Sequence, residues 1–323
     1  MKVVALVPAA CELMQALGLS HLLIAHSHVH HHCTQGCKDV ILVCTEPRCG
    51  KEIVMARKDL HEASIAFKAL LWEAKYGLAS RSHSLVEWAL APYRVFPHML
   101  RKLKPDVILT QICAHQVLEK EEVVAAIQGL VDQNLYLIDI NPNNLEDVWK
   151  DIFLVAKVLG KNSEAQQVTD NLKARLALVK KISTGRPKKQ VLCLEWGDPL
   201  CVAKSIVSEI MSLVGGINVD ARSRSKMLNW DLVKVLAPEV LVVGIPHYGL
   251  EESFQRIIDS AKNFLPKSST LLNPQLFVVS GITLFSKSGP GIIELLEVLA
   301  EILHPESQPF GHLDVLWRRL ELV

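Results

Sequence analysis

The sequence carries almost no excess charge. It has 35 Lys and Arg residues against 34 Asp and Glu residues, which gives a formal net charge of +1. A protein that binds nucleic acid through its phosphates needs clustered basic side chains, so this balance argues against nucleic acid as a main partner. Basic residues do gather between positions 180 and 189. A solvated helix end followed by a loop is the preferred interpretation of that group.

Long apolar runs are missing as well. No segment stays apolar for the roughly 18 residues that a membrane-spanning helix needs. The first apolar run, Val3–Val7, is five residues long. The apolar region of a secretory signal has about 7–15 residues. We therefore expect Val3–Val7 to form a buried strand, and we expect a cytoplasmic protein that does not insert into a membrane.

Cysteine occurs eight times, but its spacing does not form a disulfide framework. Small exported proteins space their cysteines to pair them, whereas thiols in a reducing compartment stay free. This pattern agrees with a cytoplasmic location.

Motifs of common enzymes are absent too. Cys49-Gly50-Lys51 is not a phosphate-binding P-loop, because the earlier glycine and the following Ser or Thr are missing. His61-Glu62 does not begin a His-Glu-x-x-His zinc motif, because Ile65 stands where the second histidine would be. No Gly-x-Ser-x-Gly segment occurs. Nothing in the sequence requires catalysis, and we expect a protein that is not an enzyme.

The sequence does contain short apolar runs that alternate with helical patterns. Residues 51–76 and 84–103 show such a helical pattern. The runs that predict strands are Val3–Val7, Leu22–Ala25, Val40–Val43, Val107–Leu109, Tyr136–Ile140, Val191–Leu194, Val240–Val243 and Leu276–Val279. Strand, helix and strand in that order predict an α/β protein with parallel sheets. A chain of 323 residues is long enough for two such lobes.

The longest helical pattern lies between the two halves. Asn144 is a good N-cap, apolar residues recur at helical spacing from Leu145 to Leu159, and Gly160 follows them. A second helix is predicted from Ser163 to about Ile182. The pattern therefore predicts an N-terminal lobe over 1–141, a connecting helix pair over 142–182 and a C-terminal lobe over 183–323.

Polar and aromatic residues follow several predicted strands. In the first half these are the segments Pro8–Glu12, His26–Cys37 and Thr110–His115, and in the second half Glu195–Pro199 and Ile245–Gly249. Open α/β sheets bind their ligands beyond the carboxyl ends of the strands. We therefore expect the binding residues to come from these segments.

The segment His26–Cys37 holds five histidines and two cysteines within twelve residues. Imidazole and thiolate suit zinc, copper or cobalt, and a corrinoid cobalt accepts a histidine nitrogen as an axial ligand. The predicted metal ligands are His28, His30, Cys113 and His115. The alternative is an exposed polar loop that binds metals only adventitiously.

Several separated motifs, taken in order, resemble the cobalamin- and ferric-siderophore-binding family of the periplasmic-binding-protein fold. They are Leu6-Val7-Pro8-Ala9-Ala10-Cys11-Glu12, Ser27-His28, Pro105-Asp106-Val107-Ile108-Leu109-Thr110-Gln111, Leu194-Glu195-Trp196-Gly197-Asp198-Pro199, Gly215-Gly216 and Phe285-Ser286-Lys287-Ser288-Gly289-Pro290. The resemblance covers nearly the whole chain and is strongest to the cytosolic cobalamin-binding branch. The family's His-Glu-Cys-Asp loop stands here as His28-Val29-His30-His31.

The resemblance implies a fold of class III, with two Rossmann-like lobes joined by a long connecting helix. It also implies a non-catalytic protein that holds a cobalamin-like corrinoid or another metal chelate in the cleft between the lobes. The residues implied to contact this ligand are Pro8, Glu12, His28, Gln111, Trp196, Asp198, Tyr248 and Phe285.

Trp196 would stack on a planar macrocycle, and Tyr248 and Phe285 would add further walls. The alternative for each ring is half-buried packing within its own lobe. Glu12 and Glu209 also have an alternative interpretation, as helix-start or surface charges.

Two other functions stay open. One is a protein that binds and delivers zinc or a similar metal ion through the His and Cys residues of His26–Cys37. The other is an enzyme on the same fold, because a fold alone does not determine chemistry. The sequence names no protein partner.

Overall fold

The computed structural model describes residues 1–27, 41–47, 81–91, 93–112, 119–131, 134–197, 200–203, 205–220, 227–245, 248–264, 275–284, 289–307 and 310–321. The chain forms two compact units. The first contains Met1–Asn141 and Lys150–Gln166, and the second contains Pro142–Trp149 and Gln167–Val323. The division into residues 1–141, 142–182 and 183–323 stays a prediction.

The first unit is built on a six-stranded sheet. Its strands are β1 (Val3–Ala5), β2 (Leu23–Ser27), β3 (Ile41–Pro47), β4 (Tyr93–Val95), β5 (Val107–Thr110) and β6 (Tyr136–Asp139), in the spatial order β4-β3-β2-β1-β5-β6. Only β4 runs antiparallel to its neighbour. The side chains of β1 and β5 are buried throughout, as expected of central parallel strands covered on both faces.

Helices cover this sheet: α1 (Pro8–Ala16), α2 (Arg81–Ala89), α3 (Pro97–Leu103) and α4 (Lys120–Leu130), together with the short 3₁₀ helix Ser20–Leu22. The prediction of one continuous helix over 84–103 is wrong. Pro97 holds Phe96 in an extended conformation and begins α3, so the chain between the two helices forms β4 instead. The predicted helix 51–76 lies outside the described residues.

The second unit is built on a seven-stranded sheet. Its strands are β7 (Lys189–Gly197), β8 (Leu200–Val202), β9 (Gly216–Asn218), β10 (Met227–Leu228), β11 (Val240–Val243), β12 (Gln275–Val279) and β13 (Trp317–Leu320). The spatial order is β10-β8-β7-β11-β12-β13, and β9 pairs with β7. The strands β7, β9, β11 and β12 are parallel, whereas β8, β10 and β13 are antiparallel to their neighbours. The predicted parallel sheet is therefore present and is extended by antiparallel strands on both sides.

The remaining helices are α5 (Leu145–Leu159), α6 (Asn162–Ser183), α7 (Ser205–Leu213), α8 (Trp230–Leu236), α9 (Leu250–Phe264), α10 (Gly281–Leu284) and α11 (Ile292–Leu303). The prediction of two long consecutive helices in the middle of the chain is confirmed by α5 and α6. In α11 every residue except Glu294 is buried. A helix that is buried on all sides belongs to the interior of its domain, so α11 is the central helix of the second unit.

A buried polar network fastens the C-terminal segment to α11. Glu297 accepts two hydrogen bonds from Arg175 of α6, at 2.8 and 2.7 Å, and one from His312 Nε2 at 2.8 Å. One turn later, Glu301 accepts the Trp317 Nε1 hydrogen bond at 2.6 Å and the backbone N–H of Gly311 at 2.7 Å. Both carboxylates are buried, and each oxygen has a donor. The network thus holds the chain that leads into β13.

At the carboxyl edge of the second sheet, two backbone segments approach so closely that one position has room only for glycine. Gly281 follows β12, and a Cβ atom at this position would lie 2.0 Å from the carbonyl oxygen of Ile245, which follows β11. Any side chain larger than hydrogen would therefore push the two strand-exit segments apart.

None of the helices within the described residues combines the length and the apolarity needed to cross a bilayer.

Candidate ligand-binding site

The carboxyl ends of β1, β2, β5 and β6 lie at one edge of the first sheet, because these strands are parallel. Backbone hydrogen bonds continue the ladder one step past the strands. Leu6 N donates to Leu109 O at 2.8 Å, and Ile140 N donates to Thr110 O at 2.6 Å. The residues that follow, including Pro8, Gln111 and Asn141, therefore leave the sheet at one shared edge, which we call the polar edge.

Pro8 and Glu12 come from the segment that follows β1. Pro8 is the first residue of α1, where the fixed φ of proline suits a helix start. Glu12 lies one turn later and is only 7% exposed. The interpretation of Glu12 as a surface charge is therefore wrong. A carboxylate this deeply buried needs hydrogen-bonding partners, which marks it as a specific polar group beneath the polar edge.

Gln111 and Asn141 form the polar edge of β5 and β6. The side-chain amide of Gln111 donates from Nε2 to Asn141 Oδ1 over 2.9 Å. Next to this pair, Asp139 Oδ1 accepts the backbone N–H of Ile112 at 2.8 Å, and its Oδ2 lies 2.7 Å from Lys120 Nζ. The carboxylate of Asp139 is thus neutralised within the edge. Gln111 was predicted from the sequence, whereas Asn141 and the Asp139–Lys120 pair were not assigned to a site.

The sequence position of Asn141 indicated that this residue could lie at the carboxyl edge of the sheet. It directly follows the predicted strand Tyr136–Ile140, just as Gln111 follows the strand that ends at Thr110. Thr110 and Asp139 are register partners in the parallel pair, so the residues after them leave the sheet side by side. The pairing of β5 with β6, which the sequence does not reveal, was needed to place the two amides together.

The histidine-rich segment is described only at its first residues. His26 lies in β2, is 7% exposed, and is the register partner of Ala5. It therefore belongs to the sheet and not to a loop. The predicted metal ligands His28, His30, Cys113 and His115 lie outside the described residues. Within the described part of the chain, no group of three or more His, Cys, Asp or Glu side chains could hold a metal ion.

In the second unit, Trp196 occupies a strand. The segment Glu195–Pro199 was predicted as an exit loop, but β7 continues to Gly197 and forms a hairpin with β8, in which Trp196 pairs with Cys201. The reason is that the short run Leu200–Val202 supplies an antiparallel partner at once. Asp198 and Phe285 lie outside the described residues, so their predicted contacts stay predictions.

Tyr248 follows β11, as predicted, and is held by its backbone. Its N–H donates to Ile245 O at 3.1 Å, and its carbonyl accepts the N–H of Ile282 at 3.0 Å. The guanidinium of Arg256 lies 4.1 Å from the centroid of the ring, which also packs against the core of the unit. One face of the ring is therefore covered by a cation within the same unit. A ligand would have to use the remaining exposed part of the ring.

Glu209 is the other acidic residue with two interpretations. Its Oε2 accepts the backbone N–H of Leu145, the first residue of α5, at 3.0 Å. Free N–H groups at a helix start need acceptors, and a carboxylate there also interacts favourably with the helix dipole. Glu209 therefore stabilises a helix start in the second unit from a neighbouring helix.

No family model and no curated protein sequence matches this chain. Solved structures do match over nearly its full length. A periplasmic heme-binding protein from Pseudomonas aeruginosa is 14% identical with a TM-score of 0.69, and the match covers 99% of this chain and 98% of that protein. The periplasmic vitamin B12-binding protein BtuF of Vibrio cholerae is 15% identical with a TM-score of 0.62, covering 95% and 98%.

The periplasmic heme-binding protein RhuT from Roseiflexus is 16% identical with a TM-score of 0.62, and the match covers 95% of this chain and 99% of that protein. At these identities the likeness shows the fold. The predicted fold class, α/β of the class III periplasmic-binding-protein type, is confirmed.

Proposed function

We propose that this protein is a non-catalytic binding protein for a corrinoid or a related metal chelate. The observation that carries the proposal is the correspondence, over 99% of the chain, with a protein named for heme binding, together with a similar match to one named for vitamin B12 binding. Both ligands hold a metal ion in a tetrapyrrole-derived macrocycle. The motif resemblance of the sequence to cobalamin-binding proteins favours the corrinoid.

The polar edge supports the same proposal. Macrocycle sites combine apolar walls with a few fixed polar groups that orient the ligand. Gln111 and Asn141 are such groups, because each leaves a rigid parallel strand and the two are hydrogen-bonded to each other at 2.9 Å. A metal chelate supplies most of its own metal ligands, so the protein needs to recognise the periphery and provide at most axial coordination.

Titration of the purified protein with hydroxocobalamin tests the proposal. We expect a saturable shift of the visible corrin bands and co-elution of corrinoid with protein on gel filtration; a parallel titration with hemin defines the breadth of the ligand class. Gln111→Ala should weaken binding about threefold to tenfold, the value of one net hydrogen bond. The control is Gln128→Ala, an exposed position on α4. If neither macrocycle shifts its spectrum or co-elutes, the proposal is refuted.

We also propose that the protein works in a reducing compartment such as the cytoplasm. Cys11, Cys193 and Cys201 are not joined in disulfides, and the first two are buried. Cell fractionation followed by immunoblotting tests this. Recovery of the protein only from an exported fraction would contradict it.

A further inference from the structure

The side-chain amides of Gln111 and Asn141 form a fixed pair. Ile140 N donates to Thr110 O at 2.6 Å just before the two residues, and Ile112 N donates to Asp139 Oδ1 at 2.8 Å just after Gln111. The proline after Asn141 is buried and restricts the backbone on that side. Two residues 30 positions apart are therefore held in one orientation before any ligand arrives.

Asn141 leaves hydrogen-bonding capacity for a ligand. A primary amide has two N–H donors and an oxygen with two lone pairs. The bond between the two side chains uses one donor of Gln111 and one lone pair of Asn141. Among the described residues, the Nδ2 group of Asn141 has no protein partner, and the side chain of Asn141 is exposed. It can therefore donate to a carbonyl oxygen and, through Oδ1, accept from an N–H group.

The electrostatic surroundings decide which ligand group fits. The charge of Asp139 next to the pair is balanced by Lys120 Nζ at 2.7 Å. The described part of the edge thus offers no unpaired cation. A carboxylate ligand would lose water there without gaining an ion pair, whereas an amide would satisfy both a donor and an acceptor.

From this we infer that Gln111 and Asn141 are a specificity pair that selects a macrocycle with neutral primary amides on its periphery over one with carboxylates. The inference rests on the proposed function and sharpens it. Corrins carry acetamide and propionamide arms, whereas hemes carry propionates, so the pair favours the corrin within that ligand class.

Two corrinoids that share the corrin ring and differ in their peripheral arms provide the test. Dicyanocobinamide carries amides, and dicyanocobyrinic acid carries carboxylates on the same ring. We expect the protein to bind the amide form at least about tenfold more tightly, which corresponds to one or two hydrogen bonds that the carboxylate form cannot make. Binding is measured by visible titration.

Asn141→Ala assigns the preference to the pair. The substituted side chain is exposed, so the fold should be retained, and the change removes both the Nδ2 donor and the Oδ1 acceptor that a primary amide of the ligand would use. We expect the preference for the amide form to fall about tenfold. Asn134→Ala makes the same change before the amino end of β6 and should leave the preference unchanged.

The outcomes separate the two proposals. If both ligands bind but the unmodified protein shows no preference, or if Asn141→Ala keeps the full preference, the specificity pair is wrong and corrinoid binding stands. If neither ligand binds the unmodified protein, the specificity pair is wrong, and if hydroxocobalamin and hemin do not bind either, the proposed function itself fails.

Discussion

Replacing Glu297 by Gln should destabilise the second unit strongly. Glu297 is 5% exposed and serves as acceptor for Arg175 and His312, whose donors lie 2.7–2.8 Å from its oxygens. The substitution removes the charge and leaves the donors of Arg175 and His312 facing a neutral amide. Removing one partner of a fully buried ion pair costs about 3–5 kcal/mol.

The expected loss in the free energy of unfolding is smaller than this cost for a fully buried ion pair, because the side chain of Arg175 is 41% exposed and regains some hydration. We expect the free energy of unfolding to fall by about 2–3 kcal/mol, with a drop in Tm of about 4–10 °C for a unit of this size. Urea denaturation followed by tryptophan fluorescence measures it. The control is Glu252→Gln, which removes an exposed ion pair with Arg256 and should cost less than about 0.5 kcal/mol.

The pH dependence of this difference follows from two pKa shifts. Burial alone would raise the pKa of Glu297, but the hydrogen bonds from His312 and Arg175 together lower it from 4.5 to about 2. Its contribution to stability is therefore present above pH 4.5 and is lost as the pH falls towards 2. Glu297 in turn raises the pKa of His312 above 6.5, so that contribution is complete below pH 6.5 and is lost as the pH rises through the raised pKa.

The advantage of the unmodified protein over Glu297→Gln should hence be greatest between the two unfolded-state values, 4.5 and 6.5, and should shrink on either side. Equal stability of the two proteins, or a difference that stays constant from mildly acidic to alkaline pH, would refute the reasoning.

Three further predictions concern other sites. Glu209→Ala removes the acceptor at the start of α5 and should lower the free energy of unfolding by about 1 kcal/mol in urea denaturation; Glu209→Gln should restore part of it. Gly281→Ala places a methyl group 2.0 Å from Ile245 O; overpacking of this kind costs about 1–3 kcal/mol, and a Tm equal to that of the unmodified protein would contradict it. Burial raises the pKa of the Cys193 thiol to about 12, so thiol-specific labelling at neutral pH should modify the partly exposed Cys201 before Cys193; equal rates at these two residues would be inconsistent with this.

Elements with strong local signals were predictable from the sequence. The strand Val240–Val243 was predicted with the bounds that it has, and α5 differs from the pattern Leu145–Leu159 by no residue. Both combine a continuous or periodic apolar pattern with clear boundary residues, so tertiary contacts are not needed to define them.

Elements that depend on distant partners were missed. The strand β13 contains two arginines and does not resemble a buried strand, but β12 pairs with it from forty positions earlier in the chain. The hairpin that takes up Trp196 was missed for a similar reason, because β8 is only three residues long.

The candidate site likewise contains one residue that local sequence predicts and one that depends on a distant strand. The position of Gln111 after a strand was readable from the sequence, whereas its partner Asn141 depends on which strands are neighbours in the sheet. The buried ionic network shows the limit most clearly. Glu297 sits in an amphipathic pattern that gives no sign of Arg175, which lies 122 residues away in sequence.

The enclosed position of α11 has a consequence for biosynthesis. The strands β7 and β11 are made long before residues 292–303, yet the interior that they help to form is completed only by that helix. In a nascent chain the apolar surfaces of these strands therefore stay exposed to water until α11 emerges from the ribosome. We expect chaperones to bind these surfaces during translation. Premature termination ahead of α11 should yield insoluble polypeptide and not a shortened, working molecule.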